Sequence, residues 1–151
     1  MVKAYSLTSD SLGYFIGYTL IHASRVAIVS PWLSDVTVRL PLNDKCEDRH
    51  VRLSELLKDL PDTEVTFAVR SGEEHNSYIH ERLPAEVQLT ELPDLHAKAV
   101  VSPEYVYLGS ANITQGGLEV NRELCEVIEN EYGAVDAYLR EELDISIYES
   151  D

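Results

Sequence analysis

HAKAVVSPEYVYLGSAN, residues 96–112, decides how this chain is read. The apolar run reads as a strand over 95–101, and Tyr105 to Leu108 as a second, with a hairpin turning on Ser102-Pro103-Glu104. Side chains alternate faces along a strand, so His96 and Lys98 are expected to point the same way. Ten residues after Lys98 the second strand ends, and Gly109-Ser110-Ala111-Asn112 follows. An imidazole, a cation and a Ser/Asn pair then converge on one small concavity, a set of groups suited to a phosphate ester. Taken singly, His96 reads as a structural histidine, Lys98 as a solvated lysine, and Ser110 and Asn112 as turn residues. Only their combination points to chemistry.

Working outward, Ser9 or Asp10 can cap a helix in which Leu12, Phe15, Ile16 and Leu20 recur at helical spacing up to about Ala23. Val26 to Val29 is a short buried strand stopped by Ser30-Pro31. A polar stretch follows, with a short strand expected near Val36 to Leu40. Val51, Leu53, Leu56, Leu57 and Leu60 predict a helix ending at Pro61. Glu64 to Arg70 is a strand, 73 to 83 a helix, and Val87 to Leu92 a strand. Gln115-Gly116-Gly117 is a loop, Leu124 to Ile128 a strand, and Tyr132 to Leu143 a closing helix. Helices alternate with strands early and strands cluster late. That order predicts an α/β fold with a mixed sheet flanked by helices, in one domain over residues 1–151.

The spacing resembles the phospholipase D superfamily, whose signature is His-x-Lys, then Asp, then Gly-Ser-x-Asn. His96, Lys98, Gly109, Ser110 and Asn112 match. The acidic position departs, since after the four residues that follow Lys98 the family's Asp is replaced by Pro103, with Glu104 next. In the family that Asp is usually structural, so the chemistry is little affected. Asn121-Arg122-Glu123 resembles the family's downstream Asn-x-Glu. The resemblance extends over about Arg25 to Ile128, with its specific part in residues 96 to 123. It implies the family's α/β sandwich and agrees with the mixed sheet read from the pattern.

Two-motif members of that family carry the signature twice; this chain has it once. Phosphodiester transfer through histidine needs one group to attack phosphorus and another to protonate the leaving oxygen. One His96 cannot do both on opposite sides of one phosphorus. A twofold homodimer, which brings the same residue from both subunits together, supplies the pair. The resemblance then implies the roles. One His96 becomes the phosphohistidine, and its counterpart acts as general acid and then base. Lys98 and Asn112 hold nonbridging oxygens, and Ser110 adds a hydrogen bond or positions the loop. Glu123 accepts from the other ring nitrogen and fixes its tautomer. No metal or other cofactor is expected, because side chains supply the cations. Gly109 is expected where the chain turns tightly beside substrate.

Arg70, Lys98, Arg39 and Arg122 are the candidate positive groups near such a site. Arg70 ends a strand, where a salt bridge and a phosphate contact are equally good readings. Trp32 follows Pro31. Core or interface packing is its plainer reading, and lining the phosphate cleft the other, since sites gather at the carboxyl ends of such strands. His75 and His80 are five apart, about 140° around a helix, so they share no face for a metal. His22 and His50 carry no signal.

The chain has a net charge of −15, from 27 acidic and 12 basic residues. Such a surface repels polyanions. It fits a protein adapted to high salt, where the Debye length shrinks to about 3 Å at 1 M. An acidic interaction protein is the competing reading of charge alone. No apolar run is long enough to span a bilayer. The first residues, MVKAYSLTSDSLGYF, lack a signal-peptide core. A cytoplasmic protein without stable membrane association is expected. Cys125 reads as buried and inert, Cys46 as a loop thiol, and the compartment disfavours a disulfide.

The resulting expectation is a metal-independent phosphodiesterase working as a homodimer on nucleic acid, DNA before RNA, in DNA processing or defence. Single-copy members of this size resemble bacterial endonucleases. The alternatives are a phospholipid hydrolase or transphosphatidylase, disfavoured by the lack of a basic amphipathic helix, and a non-catalytic binding module.

Overall fold

The computed structural model describes residues 4–7, 9–40, 50–60, 62–109, 113 and 125–146. In chain order the elements are β1 (Ala4–Leu7), α1 (Ser9–His22), β2 (Arg25–Val29), β3 (Thr37–Arg39), β4 (His50–Arg52), α2 (Leu53–Lys58), β5 (Glu64–Arg70), a 3-10 turn (Glu74–Asn76), α3 (Ser77–Arg82), β6 (Gln88–Leu92), β7 (Ala99–Val101), β8 (Tyr105–Gly109), β9 (Cys125–Glu129) and α4 (Val135–Leu143). Seven strands form one sheet in the order β1-β9-β8-β7-β2-β5-β6. β2, β5 and β6 run parallel, and β7, β8, β9 and β1 add antiparallel pairs. This is the mixed α/β sheet that the element pattern predicts.

The sheet is covered on both faces. Val26, Ile28, Val65, Phe67, Val69, Val100, Tyr107 and Val127 join Leu12, Ile16 and Leu20 of α1 and Leu53, Leu56 and Leu57 of α2 in one core. Ala27, Val29, Ala68, Ala99, Val101 and Val106 face the other way, onto Val135, Tyr138 and Leu139 of α4. Neighbouring strand residues thus feed opposite cores, as the two-residue period requires. Leu12, Ile16 and Leu20 are each fully buried. At about 2 kcal/mol per side chain, their burial is what binds α1 to the sheet. Gly17 lies where β3 crosses α1, and a Cβ there would collide with the Arg39 carbonyl oxygen.

Several boundaries differ from expectation, each for a tertiary reason. β1 was not foreseen, because four residues carry too little pattern; it exists through antiparallel pairing with β9, Ala4 opposite Ile128. The helix expected from Val51 begins at Leu53. Val51 is instead paired with Val38 in a β3–β4 hairpin, and Asp35 caps the helix by accepting the Ser54 amide at 2.9 Å. The helix expected over 73–83 opens with a 3-10 turn and covers only Ser77–Arg82. The closing helix starts at Val135 rather than Tyr132. Asn130 ties up that turn, accepting the Tyr132 amide at 3.0 Å and donating to the Ser102 carbonyl at 2.8 Å, with Gly133 at φ +65°.

Candidate active site

One edge of the sheet collects the chemistry, and strand direction explains why. Val29 pairs with both Ala68 of β5 and Ala99 of β7, Ala99 with Leu108, and Gly109 with Cys125. The carboxyl ends of β2, β5 and β8 therefore lie beside the amino ends of β7 and β9. Trp32 follows β2, Arg70 ends β5, His96 and Lys98 precede β7, and Gly109 ends β8. Residues distant in sequence meet there because the topology is mixed.

The expected strand over 95–101 is shorter, since β7 begins at Ala99. Its partner β2 ends at Val29, and beyond it Ser30 gives its amide to Ala68 while Pro31 has none to give. The alternation nonetheless persists without the ladder. Leu95 and Ala97 pack with the α4 core, as Ala99 and Val101 do. His96 is exposed and Lys98 half-buried on the alternate positions. The shared-face expectation therefore stands, although these residues lie outside a strand.

His96 is held by its neighbours. Lys98 Nζ donates to the His96 carbonyl oxygen at 3.0 Å. Arg70 Nε donates to the Leu95 carbonyl at 2.9 Å, and Arg70 Nη2 lies 3.4 Å from His96 Nδ1. Glu73 Oε1 is 3.5 Å from Arg70 Nη1. Arg70 thus carries the ion pair of its first reading and also faces the imidazole. Glu123 was expected on this ring's second nitrogen. Glu123 lies outside the described residues, as do Ser110, Asn112 and Arg122. Gly109 was expected at a tight turn. It is still in the ladder, opposite Cys125, so the chain has not yet turned there.

Trp32 is 44% exposed, so packing in the core is not its role. Its neighbour Leu33 is buried and bridges to Ile113. Arg39 sits on the β3–β4 hairpin, its Nε donating to His50 Nε2 at 3.3 Å. The side chains of His75, His80 and Cys125, and all of Cys46, lie outside the described residues. Among the described residues, no group of three or more His, Cys, Asp or Glu could hold a metal, and no helix is long and apolar enough to cross a membrane.

Sequence reading missed the frame around the site. Asn76 is 6% exposed; its Oδ1 accepts the Leu33 amide at 2.8 Å, and its Nδ2 donates to the carbonyls of Pro31 at 2.8 Å and Arg70 at 3.3 Å. Ser30 Oγ accepts the Ile113 amide at 3.0 Å, and Ser34 donates its amide to the Ile113 carbonyl at 2.9 Å. These bonds fix the loop after β2 and tie to it the residue that follows Asn112. An asparagine inside a segment that reads as one helix gives no local sign of this. A cavity of about 390 Å³ lies at the other end of the sheet, lined by Tyr18, His22, Ser24, Glu104 and Tyr105 among others.

A family model described as "Cardiolipin synthase, PLD-like domain" matches residues 19–144. The chain belongs to the phospholipase D superfamily. Its fold is shared with NucT from Helicobacter pylori, at TM-score 0.61 and 12% identity, covering 95% of this chain and 97% of that one. It is also shared with Nuc, a phospholipase D family member from Salmonella typhimurium, at TM-score 0.60 and 15% identity, covering 95% and 92%. Phosphatidylserine synthase from Haemophilus influenzae aligns at TM-score 0.52 and 11% identity, covering 95% of this chain and 38% of that one. None of the curated proteins matches the chain in sequence. The superfamily is one of phosphodiesterases, which agrees with a histidine and two cations gathered at the strand ends.

Proposed function

We propose that this phospholipase D-like protein is a metal-independent phosphodiesterase that cleaves nucleic acid, DNA in preference to RNA, through a phosphohistidine formed at a homodimer seam. The observation that carries this reading is the exposed His96 imidazole flanked by Arg70 and Lys98 at the strand ends.

In this reading one His96 attacks phosphorus and forms the N–P bond as the first alkoxide departs. The second subunit's copy of His96 gives that oxygen its proton, then takes a proton from water, whose oxygen displaces the histidine. Lys98, Asn112 and Ser110 bind the nonbridging oxygens, where preorganised donors act on charge as it develops. Glu123 holds the ring during transfer. Arg70 and Gly109 lie beside the substrate backbone, and exposed Trp32 offers a face on which a base can stack, an interaction worth about 1–3 kcal/mol. With a net charge of −15, binding relies on these local cations, and the protein is read as a cytoplasmic one adapted to high salt.

The test uses purified protein in molar salt with EDTA and a chromogenic phosphate bis-ester. Hydrolysis abolished by His96→Ala supports the reading. Cleavage of plasmid but not of phospholipid vesicles separates it from a lipid phosphodiesterase. Silence on every diester would leave the fold a binding module.

A further inference from the structure

We propose that the cavity at the far end of the sheet binds a quaternary ammonium group, held by the Glu104 carboxylate and the rings of Tyr18, His22 and Tyr105.

The cavity is separate from the strand ends that carry His96. Lys98 stands just before β7 and Ser102 just after it. Four residue steps at about 3.3 Å each put these two about 13 Å apart. The volume of about 390 Å³ lies within the roughly 300–1,000 Å³ typical of small-molecule sites. One wall is the end of α1 and the residues after it, with Tyr18, His22 and Ser24. The other is the β7–β8 turn, with Ser102, Glu104 and Tyr105.

Three features of the lining favour a cation. Glu104 is exposed, and among the described residues no basic side chain pairs with it. No Lys or Arg lines the cavity. The end of α1 adds partial negative charge, carried by the last carbonyls of a helix. Aromatic rings attract cations to their faces. The Tyr18 and His22 rings sit one helical turn apart with centroids at 4.4 Å, and Tyr18 is exposed.

The turn that carries Glu104 is fixed in advance. Ser102 Oγ accepts the Tyr105 amide and donates to the Tyr105 carbonyl, each at 3.0 Å. Asn130 gives its amide to the Glu104 carbonyl and its Nδ2 to the Ser102 carbonyl, both at 2.8 Å. A wall already ordered loses little freedom on binding.

The same lining selects among cations. A divalent metal such as calcium takes about six oxygen ligands or more, and the cavity offers one carboxylate. A primary ammonium brings three donors that need acceptors, and the Ser102 hydroxyl is already engaged twice. A quaternary ammonium donates no hydrogen bond. Ring faces and one negative charge satisfy it.

The experiment follows the ¹³C–¹H ring signals of tyrosine and histidine by NMR while tetramethylammonium chloride replaces sodium chloride at constant ionic strength. Mildly alkaline pH keeps imidazoles neutral. The Tyr18, His22 and Tyr105 signals should shift and saturate. tert-Butanol, a neutral molecule of similar shape, should leave them in place. Tyr18→Leu should weaken binding roughly two- to thirtyfold, the range of a cation–π contact. Glu104→Gln should weaken it roughly two- to fivefold, as befits an exposed charge. Phosphatidylcholine vesicles should not displace the probe; displacement would assign the group to a lipid headgroup instead of a soluble compound. Shifts that never saturate, or an equal response to tert-butanol, would overturn the proposal. Those two results come from wild type, so they decide the matter even if a variant fails to fold. The signals need no turnover, so a protein that cleaves no diester is tested equally well.

Discussion

Replacing Asn76 by alanine should cost stability out of proportion to the small size of the side chain. The amide is buried and makes three hydrogen bonds, to the Leu33 amide and to the Pro31 and Arg70 carbonyls. Alanine leaves the Leu33 N–H with no acceptor among the described residues. The Pro31 carbonyl fares better, since it also receives the Arg70 amide at 3.2 Å. One orphaned buried donor costs about 1–3 kcal/mol, and the lost bonds add about 1 more. The expected loss is about 2–4 kcal/mol, a sizeable part of the roughly 5–15 kcal/mol that holds a domain together. Asn76→Asp should be no milder. Its oxygen can still accept from Leu33, but a carboxylate has no donor for two facing carbonyls. Denaturant unfolding measures both variants, with an unchanged slope confirming that the same surface is exposed. The reasoning is refuted if both stay within about 0.5 kcal/mol of wild type, the range of an ordinary surface change.

Further outcomes follow from other contacts. Gly17→Ala should destabilise by about 1–3 kcal/mol in the same unfolding assay. The collision is with the Arg39 backbone, which outweighs the roughly 1 kcal/mol alanine gains in a helix. Asp35→Ala should cost about 2–4 kcal/mol, because it uncaps α2 and strands the Ser54 amide and hydroxyl now bonded at 2.9 and 2.7 Å. The Tyr132 phenol donates to Glu142 at 2.7 Å, and that bond, then desolvation and the Glu142 charge, push its pKa up to about 12. A pKa raised in the fold means this stabilisation is complete below about pH 10, the ordinary tyrosine value, and is lost as pH rises through about 12. Phenolate absorbance should show a late-titrating tyrosine that returns toward the ordinary value in Glu142→Gln.

The sheet was legible because its strands are short apolar runs bounded by Pro, Gly and Ser, as at Val26 to Val29. The signature residues were legible because His96 and Lys98 sit two apart, and alternation survives even where the ladder stops. What stayed hidden depends on partners remote in sequence. Val51 looks helical in its own window and becomes a strand residue only because Val38 is opposite. Asn76 reads as part of a helix over 73–83, yet its partners are at Leu33 and Pro31. The strand ending at Arg70 was visible, but the reach of its side chain to His96, 26 residues on, required β2 to pair parallel with β5 and antiparallel with β7.

The claim that two subunits share one phosphorus is tested most directly by mixing. Wild-type and His96→Ala chains are unfolded together in varied proportion, refolded, and assayed on the chromogenic diester. A seam that needs both imidazoles predicts activity falling as the square of the wild-type fraction, since random pairing leaves only fully wild-type dimers competent. Activity falling in simple proportion to that fraction would show that each chain works alone, and would contradict the account.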